Sequence, residues 1–410
     1  MFDSSAFGIV RSVTLSDDQS FIVIATSLGI AVYYAFDFQL AYSKTFLGGL
    51  DYAESIDSSM LMLAVCGSTL SLFDCFNHSF LSSKCFTVPI AFARCSGRRV
   101  VVSMSDGCLQ VLEMPSFKVI SEERVSGLSA LTMKSGFCAV GETSGSVTLW
   151  DTVTLAKLGK TFAHNGKVVA LGMLIWDTVD LGVLATASDK GTLVRVFSLP
   201  KMDLVAVLRR GSTESVINNL VFTDGVDGGW VLVVAGESET AHVFMGSGSN
   251  RQGRGFLGSL LPQAAKDLFD AQRAIGVVKH RGGPAGSIGW IRKNERQTSF
   301  SSSRAGSEGS TPQQRPANIH DVALVSAEGF AFSYKFGGDW HVRSEGSLSV
   351  PLSETGSVNA YGDHAQISPA PCLSLNDQSV PVQPVQLVQP VQGRKKRSRK
   401  GSSNGSACEE

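Results

Sequence analysis

One pattern of apolar and polar positions recurs along most of this chain. A small or apolar run is followed by a polar tight turn, and then by four to six residues in which β-forming side chains alternate with smaller or polar ones. It stands at residues 25–33 (ATSLGIAVY), 66–74 (CGSTLSLFD), 104–112 (MSDGCLQVL) and 142–151 (ETSGSVTLWD). It returns at 187–197 (ASDKGTLVRVF), 236–244 (GESETAHVF) and 326–334 (SAEGFAFSY), which makes seven copies. Alternation with a period of two marks a strand, and a Gly/Ser/Asp turn between two such runs marks a hairpin.

The turn glycines set the spacing. Gly29 and Gly107 are 78 residues apart, Gly107 and Gly145 are 38 apart, and Gly145 and Gly191 are 46 apart. A hairpin repeat of roughly 40–45 residues is the signature of a WD-type propeller with four strands per blade. A single hairpin cannot bury its face alone, whereas blades closed in a ring cover both faces of every sheet. The expected fold is all-β, a seven-bladed β-propeller of degenerate WD repeats, since only Trp150-Asp151 carries the WD dipeptide itself. The spacing breaks once: Glu239 of the sixth copy lies 90 residues before Gly329 of the seventh. A long insertion in blade 6 is therefore expected, with a disordered Ser/Gly/Gln/Pro-rich loop at 296–317. The expected organisation is a propeller over 1–348 and a disordered basic tail over 349–410, which runs through PVQPVQ to six basic residues in the seven of 394–400. That run reads either as a nuclear-import signal, as an accessory lipid-adsorbing patch or as a solvated tail.

Composition narrows the function classes. The 36 basic and 36 acidic residues balance, so any electrostatic targeting comes from local clusters. Nucleic acid is not an expected partner, because only the Arg/Gly stretches 251–255 and 281–283 would favour RNA. The eight cysteines form no C-x-x-C pair and no zinc spacing, which suits free thiols in a reducing cytosol. No metal or other cofactor is expected. The first residues show no basic n-region before an apolar stretch, and the strongest apolar runs (21–25 and 230–235) are strand-length. A soluble chain with peripheral membrane contact is expected. No G-x-S-x-G, P-loop, H-E-x-x-H or kinase motif occurs, so no catalytic residue is assigned and the chain is not expected to be an enzyme.

The informative stretch is 184–211, LATASDKGTLVRVFSLPKMDLVAVLRRG. Adjacent residues of a strand point to opposite sides, so Arg209 and Arg210 would each serve a separate pocket, and guanidinium suits forked recognition of phosphate. On these two residues alone, a solvated pair at a strand end is the competing reading. The neighbourhood resembles the PROPPIN family of phosphoinositide-binding propellers. The family's T-A-S-x-K-G-T-x-x-R-V-F segment stands at 186–197, upstream of an L-R-R-G version of its F-R-R-G at 208–211. Ala163-His164-Asn165 matches an A-H-K-like element upstream, and Thr240-Ala241-His242-Val243-Phe244 matches a T-V-H-I-F strand downstream.

The resemblance implies two lipid pockets: His164, Ser188, Arg195 and Arg209 in the first, and Arg210, Thr213, Ser238, Thr240 and His242 in the second. Leu208 stands where the family has Phe, which bears on packing, and Asn165 stands where it has Lys, which bears on the first pocket. Ser188 reads equally as a turn residue, and His242 as a satisfied strand histidine. The two histidines imply binding that strengthens as pH falls toward about 6. The implied ligands are phosphatidylinositol 3-phosphate and phosphatidylinositol 3,5-bisphosphate. The implied partners are autophagy or endosomal factors, a lipid-transfer protein among them. The implied location is cytoplasmic, peripherally on preautophagosomal, endosomal or vacuolar/lysosomal membranes. A generic WD scaffold without lipid binding is the alternative.

The family also implies a membrane-directed loop in blade 6, placed here at 246–285. Leu257, Leu261, Ala264, Leu268, Ala271 and Ile275 fall on one helical stripe flanked by Phe256, Leu260 and Phe269. Eight basic residues face three acidic ones over 246–295, a net of +5. Leu257, Leu260, Leu261, Leu268, Phe269 and Ile275 are the expected inserting residues of an interfacial helix. Each would contribute roughly 1.5–3 kcal/mol on burial, and each nearby basic residue about 1 kcal/mol. A helix folded back on the propeller or on a protein partner is the competing reading.

Overall fold

The computed structural model describes residues 8–176, 178–225, 229–238, 240–246, 271–279, 287–293, 320–326, 331–336 and 342–343. Every regular element among them except one 3-10 turn, Val179–Leu181, is a strand. Blade 1 is β1–β4 (Val10–Leu15, Phe21–Thr26, Gly29–Tyr34, Leu40–Thr45), and blade 2 is β5–β8 (Tyr52–Ser55, Leu61–Cys66, Thr69–Asp74, Ser79–Cys85). Blade 3 is β9–β12 (Ile90–Ser96, Arg99–Met104, Cys108–Glu113, Lys118–Arg124), and blade 4 is β13–β16 (Leu128–Lys134, Phe137–Glu142, Ser146–Asp151, Lys157–Phe162). Blade 5 contains β17–β20 (Val168–Leu174, Val183–Ser188, Leu193–Ser198, Asp203–Arg209), and blade 6 begins with β21–β23 (Ile217–Asp224, Trp230–Gly236, Thr240–Gly246). After the insertion, β24 (Gln272–Arg273) joins the sheet of blade 5, and β25 (Gly276–Lys279) completes blade 6. The last sheet is β26–β29 (Ser287–Lys293, His320–Ser326, Ala331–Phe336, Val342–Arg343).

Each recurring sequence pattern lands on the hairpin between the second and third strands of a sheet, as in β2–β3 and β18–β19. Those strands are apolar on both faces because neighbouring sheets cover both: β2 and β18 are buried almost throughout, whereas the outermost β4 alternates between exposed and half-buried. The core lies between sheets. Leu149, Val168, Leu184 and Phe197 fill the space between blades 4 and 5, and Val194, Leu208, Leu220 and Phe244 fill that between blades 5 and 6.

The all-β propeller is as expected, but seven equivalent blades are not. Six sheets are full blades. The seventh set of strands ends on the two-residue β29, and Ala323 and Leu324 are its only described interior residues. They pack on blade 1 and blade 6 respectively. The protein is thus described as six full blades and a partial sheet. The physical reason is chain length: a long polar stretch between β26 and β27 separates this sheet's first two strands, so they are not joined by the compact hairpin of the other blades. Blade 5 also departs from four strands, because β24 pairs in parallel along β20. The basic tail and the 296–317 loop lie outside the described residues. Among the described residues no helix is long and apolar enough to cross a membrane.

Candidate anion sites on the two faces of blade 5

Strand register settles which way each candidate side chain points. In blade 5, Arg195 pairs with Thr186 on one side and with Val207 on the other, and Leu193 pairs with Arg209. Partners in register share a sheet face, and so do residues two apart. Thr186, Ser188, Arg195 and Arg209 therefore lie on one face, the one that meets blade 4. Leu208 lies on the opposite face and is fully buried against blade 6. The family's Phe is thus replaced at a packing position. Arg210 follows on that same side.

On the blade 4 side the polar groups form a closed ring. Arg195 donates through Nη1 to the Ala163 carbonyl and, at 3.3 Å, to His164 Nδ1. Arginine only donates, so Nδ1 accepts and Nε2 carries the ring proton. His164 Nε2 then donates to Thr186 Oγ1 at 2.8 Å, and that hydroxyl donates to the Arg195 carbonyl at 3.4 Å. His164, Thr186 and Ser188 are buried. Arg209 is exposed at the end of β20, and no ion pair engages it among the described residues. The ring thus holds a rigid floor, with Arg209 at its rim. Asn165 is exposed next to it. Thr186 is the residue that sequence reasoning missed; its period-two relation to Ser188 was the available signal.

On the blade 6 side Arg210 is fastened at two points. Its Nε donates to the Gly191 carbonyl at 2.6 Å, and Nη2 donates to the Thr213 carbonyl. Thr213 therefore contributes its backbone, and its side chain is exposed. Facing Arg210, β23 presents Thr240 and His242, with Ser238 just ahead of it. His242 Nε2 lies 3.3 Å from Thr240 Oγ1, which is 3.3 Å from Ser238 Oγ, and Ser238 donates to the Thr240 carbonyl at 3.1 Å. His242 Nδ1 is buried and has no partner among the described residues.

Burial, with the Arg210 charge adding to it, pushes the His242 imidazole down to about 4. The ring is neutral at pH 6, so the expected strengthening of binding through His242 at that pH is corrected. The shift acts on stability instead. A depressed folded-state value means the unfolded chain binds more protons between pH 4 and 6.5. The contribution is complete above about pH 6.5 and is lost as pH falls toward 4. Urea unfolding across this window is expected to show a shallower acid loss for His242→Gln than for the wild type. Parallel acid profiles would contradict the assignment.

The insertion residues divide sharply. Leu257, Leu260, Leu261, Leu268 and Phe269 lie outside the described residues. Ile275 does not reach outward: it is half-buried against Val231, Val233 and Val243, and its N–H donates to the Val243 carbonyl at 2.8 Å. The expected helical stripe also ends before it, because Gln272 and Arg273 are extended. Pairing with β20 supplies the hydrogen bonds that favour strand there. Ile275 is therefore a propeller residue.

Two open clefts lie elsewhere; Arg99 pairs with Glu113 in one, and Lys157 with Glu123 and Lys160 with Glu142 in the other.

Residues 110–252 match the model of the PROPPIN family. The chain is 27% identical over 246 residues to autophagy-related protein 18 of Dictyostelium discoideum, covering 57% of this chain and 64% of the relative. The match thus spans less than two thirds of that relative. The fold is similar to that of Hsv2 from Kluyvelomyces marxianus, at a TM-score of 0.62 and 16% identity, covering 84% of this chain and all of that one. It is also similar to KlAtg21 in its complex with the coiled-coil of AgAtg16, at a TM-score of 0.56 and 17% identity, covering 80% of this chain and 94% of that chain.

Proposed function

We propose, for a chain whose residues 110–252 belong to the autophagy-related PROPPIN family, that it is a non-enzymatic effector of 3-phosphorylated phosphoinositides with one headgroup site on each face of blade 5. The observation that carries this reading is the opposed pair: Arg209 on the blade 4 side and Arg210 on the blade 6 side, each on a face that also bears a hydroxyl and an imidazole. A phosphate monoester carries close to two negative charges near neutral pH and accepts several hydrogen bonds. Arginine supplies charge and a forked donor, and hydroxyl hydrogens rotate readily toward a new acceptor. In the free protein Thr240 donates to the Ser238 hydroxyl, and Ser238 donates to the Thr240 carbonyl; an incoming phosphate redirects them.

Each site centres on one arginine with few neutral donors, so neither is expected to hold a headgroup tightly alone. Two sites on one membrane act together through effective concentration, and the basic insertion at 246–285 supplies a further contact by its sequence. The protein partners fit the same setting, namely autophagy factors with a lipid-transfer protein among them. Phosphatidylinositol 3-phosphate and the 3,5-bisphosphate are the ligands tested first, on preautophagosomal, endosomal or vacuolar/lysosomal membranes.

The test is vesicle flotation at matched surface charge, with phosphatidylserine alone or with part of it replaced by phosphatidylinositol 3-phosphate. Recovery is expected to require the 3-phosphate. Equal recovery on both vesicle types would sink the reading and leave a generic scaffold. Leu261→Asp with Leu268→Asp is expected to lower vesicle retention while leaving soluble headgroup binding intact. Unchanged retention would remove the insertion from the membrane contact.

A further inference from the structure

The return segment of the insertion carries a second arginine to the rim of the first site. In β24, Gln272 pairs with Leu208 and Arg273 pairs with Arg209, in parallel. Neighbouring strands lie about 4.8 Å apart, and residues in register project from the same face. Gln272 accordingly shares the Leu208 side, which meets blade 6, and its Nε2 donates to the Met245 carbonyl at 2.7 Å. That contact fixes the alternation independently of Arg273. Arg273 then projects on the other side, beside Arg209, on the face that bears Ser188, Arg195 and the His164 ring.

The segment is held from both sides. Ala274 packs against the cluster between blades 5 and 6, and Ile275 is bonded to Val243. Arg273 is therefore carried on a short strap rather than on a free loop. Arg209 and Arg273 are both exposed, and no carboxylate pairs with either among the described residues. Like charges side by side on a sheet repel, and nothing described on this face relieves them. A dianionic group between them would.

We propose that Arg273 is a binding residue of the first site, and that it closes on a phosphate monoester together with Arg209. This rests on the phosphoinositide reading above and goes beyond it. Two guanidiniums on one phosphate favour a monoester dianion over the singly charged diester of phosphatidylserine and similar bulk phospholipids. Arg273 would then set selectivity for the phosphorylated headgroup over bulk anionic lipid. It would also link the insertion to the site, since the strap is the insertion's return segment.

The experiment uses the full chain with four probes: inorganic phosphate, soluble inositol 1,3-bisphosphate, vesicles with phosphatidylinositol 3-phosphate, and phosphatidylserine vesicles of equal charge. Arg273→Ala is expected to weaken inositol 1,3-bisphosphate binding about tenfold, the size for losing one charge-assisted contact. Arg273→Lys is expected to fall between Arg273→Ala and the wild type, and phosphatidylserine vesicles should report little change. Inorganic phosphate bound by the wild type as tightly as inositol 1,3-bisphosphate, and weakened equally by Arg273→Ala, would assign the pair to free phosphate rather than to a headgroup and overturn this inference. Arg273→Ala binding inositol 1,3-bisphosphate within twofold of wild type, while Arg209→Ala/Arg210→Ala binds none, would overturn this inference and leave the phosphoinositide reading standing. Absence of binding by the wild type would overturn both. Equal loss on the two vesicle types would reduce Arg273 to general surface charge. Gln272→Ala is expected to weaken binding in the same direction by loosening the strap, with thermal stability close to wild type.

Discussion

Arg209→Ala with Arg210→Ala is expected to abolish recovery on vesicles containing phosphatidylinositol 3-phosphate, a loss of about 100-fold or more in apparent affinity because both sites go at once. The fold should survive. Arg209 is exposed, and Arg210 bonds only backbone carbonyls of two adjacent turns, Gly191 and Thr213. Each single variant should retain partial recovery, since the other face of blade 5 is untouched. Full recovery by the double variant, with its unfolding transition unchanged, would separate the arginines from the membrane altogether.

Gly191→Ala is expected to damage fold and site together. Gly191 sits in the turn between β18 and β19 at φ +59, where a Cβ would stand 1.8 Å from the Ser215 carbonyl oxygen. A backbone atom cannot step aside as a side chain does, so the Lys190–Ser215 pairing of turns must open. The cost is about 2–4 kcal/mol, from left-handed strain plus the overlap. The same peptide presents the carbonyl that holds Arg210 Nε, so the second site is displaced as the turn shifts. Urea unfolding and headgroup titration of the variant should both move. A variant as stable as the wild type would show that the turn has room that its geometry denies.

Much of this was legible in the chain, for local reasons. The alternating runs placed the central hairpin of each sheet, and the alternation at Leu208, Arg209 and Arg210 separated two faces before any contact was known. Ser238, Thr240 and His242 fell on one side by the same rule. What was not legible depended on distant partners. The pairing of β24 with β20 joins residues more than sixty positions apart, which no local pattern announces, so the helical spacing that includes Ile275 pointed the wrong way there. His242 looked like a pH-sensitive donor because a sequence carries no measure of burial or of the Arg210 charge beside it. Thr213 meets Arg210 through its carbonyl, a contact that residue type does not reveal. The count of full blades depended on strands around the long insertion, where spacing stops being periodic.

The opposed arginines imply two separate headgroup sites, and stoichiometry tests that directly. Titration of the full chain with soluble inositol 1,3-bisphosphate, counted by native mass spectrometry, is expected to give two bound headgroups for the wild type. Arg209→Ala and Arg210→Ala should each leave one, and the double variant none. A single headgroup on the wild type, lost with either arginine alone, would contradict the arrangement and place both guanidiniums on one ligand.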